Sequence, residues 1–162
     1  MRPARLAAWQ PARYRRASHA VRERAERGAD IIKIMASGGA MTAGTDLLAR
    51  QYSLEQLRTV ADEAHTHGLA VTAHAHGLPA VIQAVDAGVD GIEHCSCLTE
   101  RGIEAPEGLP GRLAAGRIIV CPTLGRKSSA TVPPATAAIY QRTGLTWQAG
   151  PRGRFRLPRS AR

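Results

Sequence analysis

Four residues carry most of the chemistry that this sequence of 162 residues offers: Lys33, His74, His76 and His94. Lys33 stands inside "GADIIKIMASGG", where Ile31, Ile32, Ile34 and Met35 read as a short buried strand. An ammonium is costly to bury unless something pairs with it or removes its charge. His74 and His76 are two apart in or beside "LAVTAHA", so as strand residues they point to one face. His94 closes a third strand-like stretch, "VDGIEH". Parallel α/β folds collect ligands and catalytic groups at the carboxyl ends of their strands. One lysine and three histidines arriving at such a rim form a constellation. Neutral imidazoles bind zinc and similar divalent ions. A lysine beside those ions repels them as an ammonium and serves only with its charge removed or reversed, for instance as a carbamate made with carbon dioxide.

Plainer readings stand beside these. Lys33 could pack its stem among apolar neighbours and carry its head to the rim. A Schiff-base lysine is a second alternative, which the histidine pattern disfavours. His74, His76 and His94 could be hydrogen-bonded core residues. His65 and His67 fall at a helix end, where partial negative charge favours them, and read as structural. Cys95, Cys97 and Cys121 match no strong zinc spacing and are an odd number, unlike a secreted disulfide framework. Ser37, Gly38 and Gly39 follow the Lys33 strand and could aim backbone amides at a substrate oxyanion, or belong to a mobile loop.

The elements that must position these residues alternate along the chain. Residues 31–35 make a strand, followed by the glycine-rich loop "ASGGAMTAGTDLLARQY". Ser53-Leu54-Glu55-Gln56 is a capping box. The helix behind it aligns Leu57, Val60, Ala61 and Ala64 on one stripe, and Gly68 stands where a left-handed cap ends it. Residues 69–75 form a second strand. Pro79 suits the first turn of the next helix, with Val81, Ile82 and Val85 as its apolar side and Gly88 at its end. "VDGIEH" and "RIIVCPT" (117–123) complete four strands. Strand and helix in this alternation specify parallel βαβ units.

Charge divides the chain in three. Residues 1–28 hold eight Arg and two Glu, residues 29–125 six Lys/Arg and eleven Asp/Glu, and residues 126–162 eight Lys/Arg and no acid. The net +9 therefore belongs to the ends, and the middle is mildly acidic. With few aromatics and no basic helix to stack on bases, nucleic acid is not the expected partner. No apolar run is long enough for a membrane, and no signal-type stretch follows the N-terminal arginines, so the expected compartment is the cytoplasm. Three regions are expected: a disordered basic arm at 1–17, one domain at 18–147, and a disordered Arg/Pro-rich tail at 148–162.

Taken together, "GADIIKIMASGGAMTAGTD", "QYSLEQL", "ADEAHTHGLAVTAHAHG", "AVDAGVDGIEHCS" and "LTERGI" resemble the metal-dependent amidohydrolase superfamily, nearest its imidazolonepropionase-like and prolidase-type branch. The resemblance runs from about Ser18 to Gly125 and more weakly to Trp147. It implies an α/β fold, a (β/α)8 barrel with one or two divalent metals, zinc foremost, at its rim. Here it covers about four βα units, strands four to seven. Lys33 resembles the carboxylated lysine that bridges metals, His74 the strand-five ligand and His94 the strand-six ligand. His76, with Ser37, Gly38 and Gly39, would touch substrate or support the ligands. The implied reaction is hydrolysis of an amide, cyclic amide or dipeptide carbon–nitrogen bond, with metal-activated water attacking the carbonyl.

The chain also departs from that pattern. No HxH pair precedes Lys33, where the only histidine is His19. The strand-eight aspartate that serves the family as base has no counterpart after Gly125. Gly44-Thr45-Asp46 mimics its triplet but lies in the loop after the first strand, so Asp46 is not that base. A full barrel takes roughly 250 residues. The alternative expectation is therefore a truncated or frame-shifted, inactive chain that at most binds partners through its basic ends. Two unpaired sheet edges would leave self-association open.

Overall fold

The computed structural model describes residues 11–123, together with the residue pairs 147–148 and 154–155. Helix α1 (Pro11–Glu26) leads into strand β1 (Ile31–Met35). Then follow α2 (Leu54–Thr66), β2 (Ala70–Gly77), α3 (Leu78–Ala87), β3 (Gly91–Leu98), α4 (Leu109–Ala115) and β4 (Ile119–Cys121). β1 to β4 form one parallel sheet in sequence order. Two further short strands, β5 (Trp147–Gln148) and β6 (Arg154–Phe155), pair antiparallel. The remainder of the expected tail and residues 1–10 of the expected arm lie outside the described residues.

α1 opens at Pro11, ahead of the boundary drawn at residue 18 from composition. Proline suits a first helical turn, and the Ala and Arg that follow are strong helix formers, so an arginine-rich stretch continues the helix. Its Val21 is buried, and Arg22 pairs with Glu63 of α2 at 3.1 Å.

α2 starts as its sequence requires. The Ser53 hydroxyl accepts from the Gln56 amide, and the Gln56 side chain accepts from the Ser53 amide. Leu57, Ala61 and Ala64 are buried, and Gly68 beyond its end has φ +70°, the left-handed conformation glycine adopts at no steric cost. α3 buries Ala80, Val81, Ala84 and Ala87, together with Gln83. Its buried stripe thus turns slightly from the one expected, with Ile82 and Val85 only half-buried.

The two faces of the sheet have different fates. Ile32 and Ile34 of β1, Val71, Ala73 and Ala75 of β2, and Ile92 of β3 are buried in one core with residues of α1, α2 and α3. Alanine dominates that interface and lets helices approach the sheet closely. The opposite face carries Ile31, Lys33 and Met35, then Thr72, His74 and His76, then Gly91 and Glu93, then Ile119 and Cys121, by alternation and register. No helix among those described covers this face, and Ile31 and Ile119 are 51% and 73% exposed.

A loop closes the carboxyl end of β1 and β2. Ala36 and Ser37 donate their amides to the His74 carbonyl, and Gln51 donates back to the Ala36 carbonyl. Ala40, Leu47 and Leu98 form a second small core that anchors the loop over β3. The approach is close: a Cβ on Gly77 would collide with the Leu48 carbonyl, and one on Gly38 with the Asp46 carbonyl.

Candidate metal centre

His74 and His76 project from the helix-free face of β2, as their spacing requires, and are 7% and 6% exposed. His94 reaches them by another route. It lies beside Ala75 in the β2–β3 register, and Ala75 faces the helices. Strict alternation would therefore turn His94 away from the other two. Positive φ at His94 (+70°) and Cys95 (+47°) breaks the alternation. The β2–β3 register shifts there too, so that Ala75 to Gly77 spans His94 to Leu98. Such a bulge re-aims a side chain.

The three rings meet. His74 stands edge-on to His76 and His94, with centroids 4.7 Å and 4.6 Å apart. His76 and His94 stack at 4.2 Å with 22° between their planes. One ring nitrogen from each lies within 4.8 Å of the other two. Each ring also has a fixed partner. His74 Nε2 donates to the Gly38 carbonyl at 3.2 Å. His76 Nδ1 bonds the Ser96 hydroxyl at 3.0 Å, and His94 Nδ1 the Thr123 hydroxyl at 2.5 Å.

Burial holds these imidazoles neutral. It is the largest influence on His74, whose pKa is lowered although the Gly38 carbonyl favours the charged form. Burial, then repulsion from His94 and His74, pushes His76 down to about 3. Burial, then His74, pushes His94 down to about 4. A neutral imidazole keeps a lone pair for a metal.

Lys33 shares this face, and its ammonium is met by the Glu93 carboxylate in an ion pair. Glu93 was not singled out from the sequence. A signal existed: it is the acid within "GIEH", on the strand two along from Lys33. It lies beside His74 in the register, on the face Lys33 shares. The hydroxyls of Ser96 and Thr123 were likewise missed, because nothing in sequence spacing ties them to the rings.

Ser37, Gly38 and Gly39 are wired to the same place. The Ser37 hydroxyl accepts the His76 amide at 2.9 Å and donates to the Gly38 carbonyl at 3.1 Å. The amides of Ser37, Gly38 and Gly39 go to the His74 carbonyl, the Asp46 carbonyl and the Thr45 hydroxyl. In this arrangement they buttress His74 and His76. The cysteines stay outside the histidine group: Cys95, Cys97 and Cys121 are free thiols. The Cys97 thiol donates to the Cys95 carbonyl, and its pKa is raised by the neighbouring Cys95 side chain and by burial.

The donor set fits a divalent metal ion: three neutral imidazoles whose ring nitrogens converge, each ring hydrogen-bonded to a protein group. No helix among those described is long and apolar enough to cross a membrane.

Known proteins share this arrangement of elements. Ochratoxinase of Aspergillus niger is 40% identical over 81 residues, which are 50% of this chain and 17% of the ochratoxinase. Its crystal structure superposes with a TM-score of 0.60 at 29% identity, over 69% of this chain and 24% of the other. A Xaa-Pro dipeptidase with bound methionine gives 0.67 at 26% identity, over 81% and 32%. A prolidase complexed with N-methylphosphonate-L-proline gives 0.63 at 31% identity, over 78% and 32%. The chain thus spans less than a third of the length of these relatives, and its parallel sheet with alternating helices matches part of their α/β barrel. Residues 6–131 match the amidohydrolase family, and with the histidine-bearing strands inside that span, the chain belongs to it.

Proposed function

We propose that this chain serves metal-assisted hydrolysis of a carbon–nitrogen bond in an amide, cyclic amide or dipeptide. The observation that carries the reading is the meeting of His74, His76 and His94 at the carboxyl ends of β2 and β3, in a chain of the amidohydrolase family. His74 and His94 would hold the ion, and Lys33 would join them as a ligand once carboxylated. When bound, the ion supplies Lewis acidity toward a carbonyl oxygen and toward water. The chain's own residues set the stage. The Gly38 carbonyl fixes the tautomer of His74, Ser96 and Thr123 orient the other two rings, and the loop from Ala36 to Gln51 ties β1 to β2. Small amides and dipeptides, Xaa-Pro dipeptides among them, are the substrate class.

A second reading rests on Lys33. Paired with Glu93, it is an ammonium, and an ammonium is not a carbamate. A chain that keeps this pair binds an ion without turning substrate over. One experiment decides between the two. The purified chain is loaded with zinc in bicarbonate and assayed on Xaa-Pro dipeptides and cyclic amides. Turnover abolished by His74→Ala, His94→Ala and Lys33→Ala supports hydrolysis. Zinc binding with no turnover supports the second reading.

A further inference from the structure

We infer that Cys95 and Cys97 form a thiol–disulfide exchange site: a low-molecular-weight disulfide of the glutathione class oxidises the pair to an internal disulfide, and closing that bond shifts Ser96, which holds the His76 ring. The inference goes beyond the proposed function and needs neither a metal nor turnover.

Both thiols are free and flank Ser96 in β3. The Cys97 Sγ turns back to donate to the Cys95 carbonyl at 3.5 Å, and the two side chains act directly on each other. The backbone that carries them is already turned. Cys95 and Cys97 have φ +47° and +49°, a left-handed conformation that few non-glycine residues adopt. Both lie in the bulge where the β2–β3 register shifts, and bulges re-aim side chains. Residues two apart in a strand have Cα atoms roughly 6.6–6.8 Å apart, within the span that a disulfide bridges. Exposure then divides the work. Cys95 is half-buried, whereas Cys97 is 4% exposed. An incoming disulfide therefore meets the Cys95 sulfur, and Cys97 is kept for the second step.

The exchange balances with the small disulfide as its only co-reactant. The Cys95 thiol gives up its proton, and its sulfur attacks one sulfur of the incoming molecule. That molecule's S–S bond breaks, a mixed disulfide forms on Cys95, and one thiolate leaves and takes up the proton. The Cys97 sulfur, deprotonated in turn, attacks the Cys95 sulfur. The mixed disulfide breaks, the internal bond forms, and the second thiol departs. The protein dithiol is oxidised by two electrons, and the small disulfide is reduced to two thiols. The closed ring holds only Ser96 between its cysteines, and strained disulfides are the labile ones, so a reducing thiol reopens it. The Ser96 hydroxyl bonds His76 Nδ1 at 3.0 Å, so closure is felt at His76.

The test uses the full chain, reduced and then incubated with oxidised glutathione near neutral pH, as wild type and with the exposed Cys121 removed by Cys121→Ser. Mass spectrometry after alkylation of the remaining thiols reads the products. The monomer should lose two hydrogens, with the new bond mapped to Cys95 and Cys97. Adding Cys97→Ser should stop the reaction at the mixed disulfide, with one glutathione retained on Cys95. Adding Cys95→Ser instead should slow the reaction on the order of tenfold, because a buried thiol is inert. Side-chain histidine NMR should show the His76 signals displaced on oxidation, those of His19 and His67 unmoved, and dithiothreitol restoring the first state. Thiols that stay free at Cys95 and Cys97 overturn the inference, as do bonds formed only between molecules or glutathione carried first on Cys97. An internal bond that leaves the His76 signals in place removes the coupling through Ser96 and overturns it too. Peptide mapping and NMR of the wild-type chain decide even if a variant fails to fold.

Discussion

Lys33 is tolerated in β1 because alternation places it away from the core between Ile32 and Ile34, and because Glu93 meets its charge. The pair is partly solvated, with side chains 49% and 24% exposed. Such pairs contribute little, so Glu93→Gln should change unfolding stability by less than about 1 kcal/mol, as read by urea denaturation. The histidines behave differently. Their folded pKa values lie below the ordinary 6.5, at about 3 for His76 and about 4 for His94. Between those values and 6.5 the unfolded chain binds more protons than the folded one. Stability of the metal-free protein therefore falls as pH drops from about 6.5 toward 4. Urea midpoints measured across that range should show the decline, and His76→Gln should flatten it; an equal decline in the variant would contradict the assignment. At this scale the strand periodicity made Lys33, His74 and His76 legible in the sequence. His94 was legible as a residue but not as a direction, since only the backbone reversal at His94 and Cys95 turns it toward the others. Glu93, Ser96 and Thr123 act through contacts between strands or beyond them, which local spacing does not encode.

Elements are held in register by a few polar knots, and Asp90 is one. It sits between α3 and β3, where its carboxylate accepts the Val71 amide at 2.7 Å and the His65 ring at 2.9 Å. Its backbone bonds both Val71 and Ile119. One residue thus fastens the starts of β2 and β4 and the end of α2. Burial alone would raise its pKa, but the bonds from His65 and Val71 outweigh that, and the net pKa is lowered. Its contribution is therefore present above the usual carboxylate range and is lost as pH falls through the lowered value. Asp90→Ala should cost about 1–2 kcal/mol at neutral pH, measured by denaturant unfolding, and the cost should vanish in strong acid. The loop after β1 is fastened by shape instead. Gly77→Ala drives a methyl into the Leu48 carbonyl, an overpacking that should cost about 1–3 kcal/mol. It should also displace the loop from His76, which His76 ring shifts would register. The capping box, the helix stops and the parallel order were all readable in advance, because each depends on neighbours in sequence. The loop's path over the strand ends was not: it depends on two glycines meeting carbonyls eight or more residues away.

Among the described residues the four-stranded sheet has one face covered by helices and one that no helix covers, and β1 and β4 stand at its two ends. β4 is only Ile119–Cys121, and Ile119 and Val120 are 73% and 39% exposed. Ile31 on β1 is 51% exposed. Apolar edge strands with unpaired amides and carbonyls template pairing with another chain. The middle of the chain is only mildly acidic, and the excess of arginine lies toward the ends. The protein should therefore self-associate as its concentration rises, with β4 the first edge to pair, because its apolar side chains are the more exposed. A lysine there places a charge where a paired strand would have to bury it. Ile119→Lys should shift the population toward monomer, while unfolding stability changes by no more than about 0.5 kcal/mol, as expected of a surface substitution. Sedimentation velocity over a concentration series measures the first effect and urea denaturation the second. A wild-type chain that stays monomeric throughout, or an Ile119→Lys variant that associates as strongly, would show that the exposed edge is already protected in solution. The proposed site gives the same experiment a second use. Its histidines stand on β2 and β3 rather than on the β4 edge, so zinc affinity should be the same in the wild type and in Ile119→Lys.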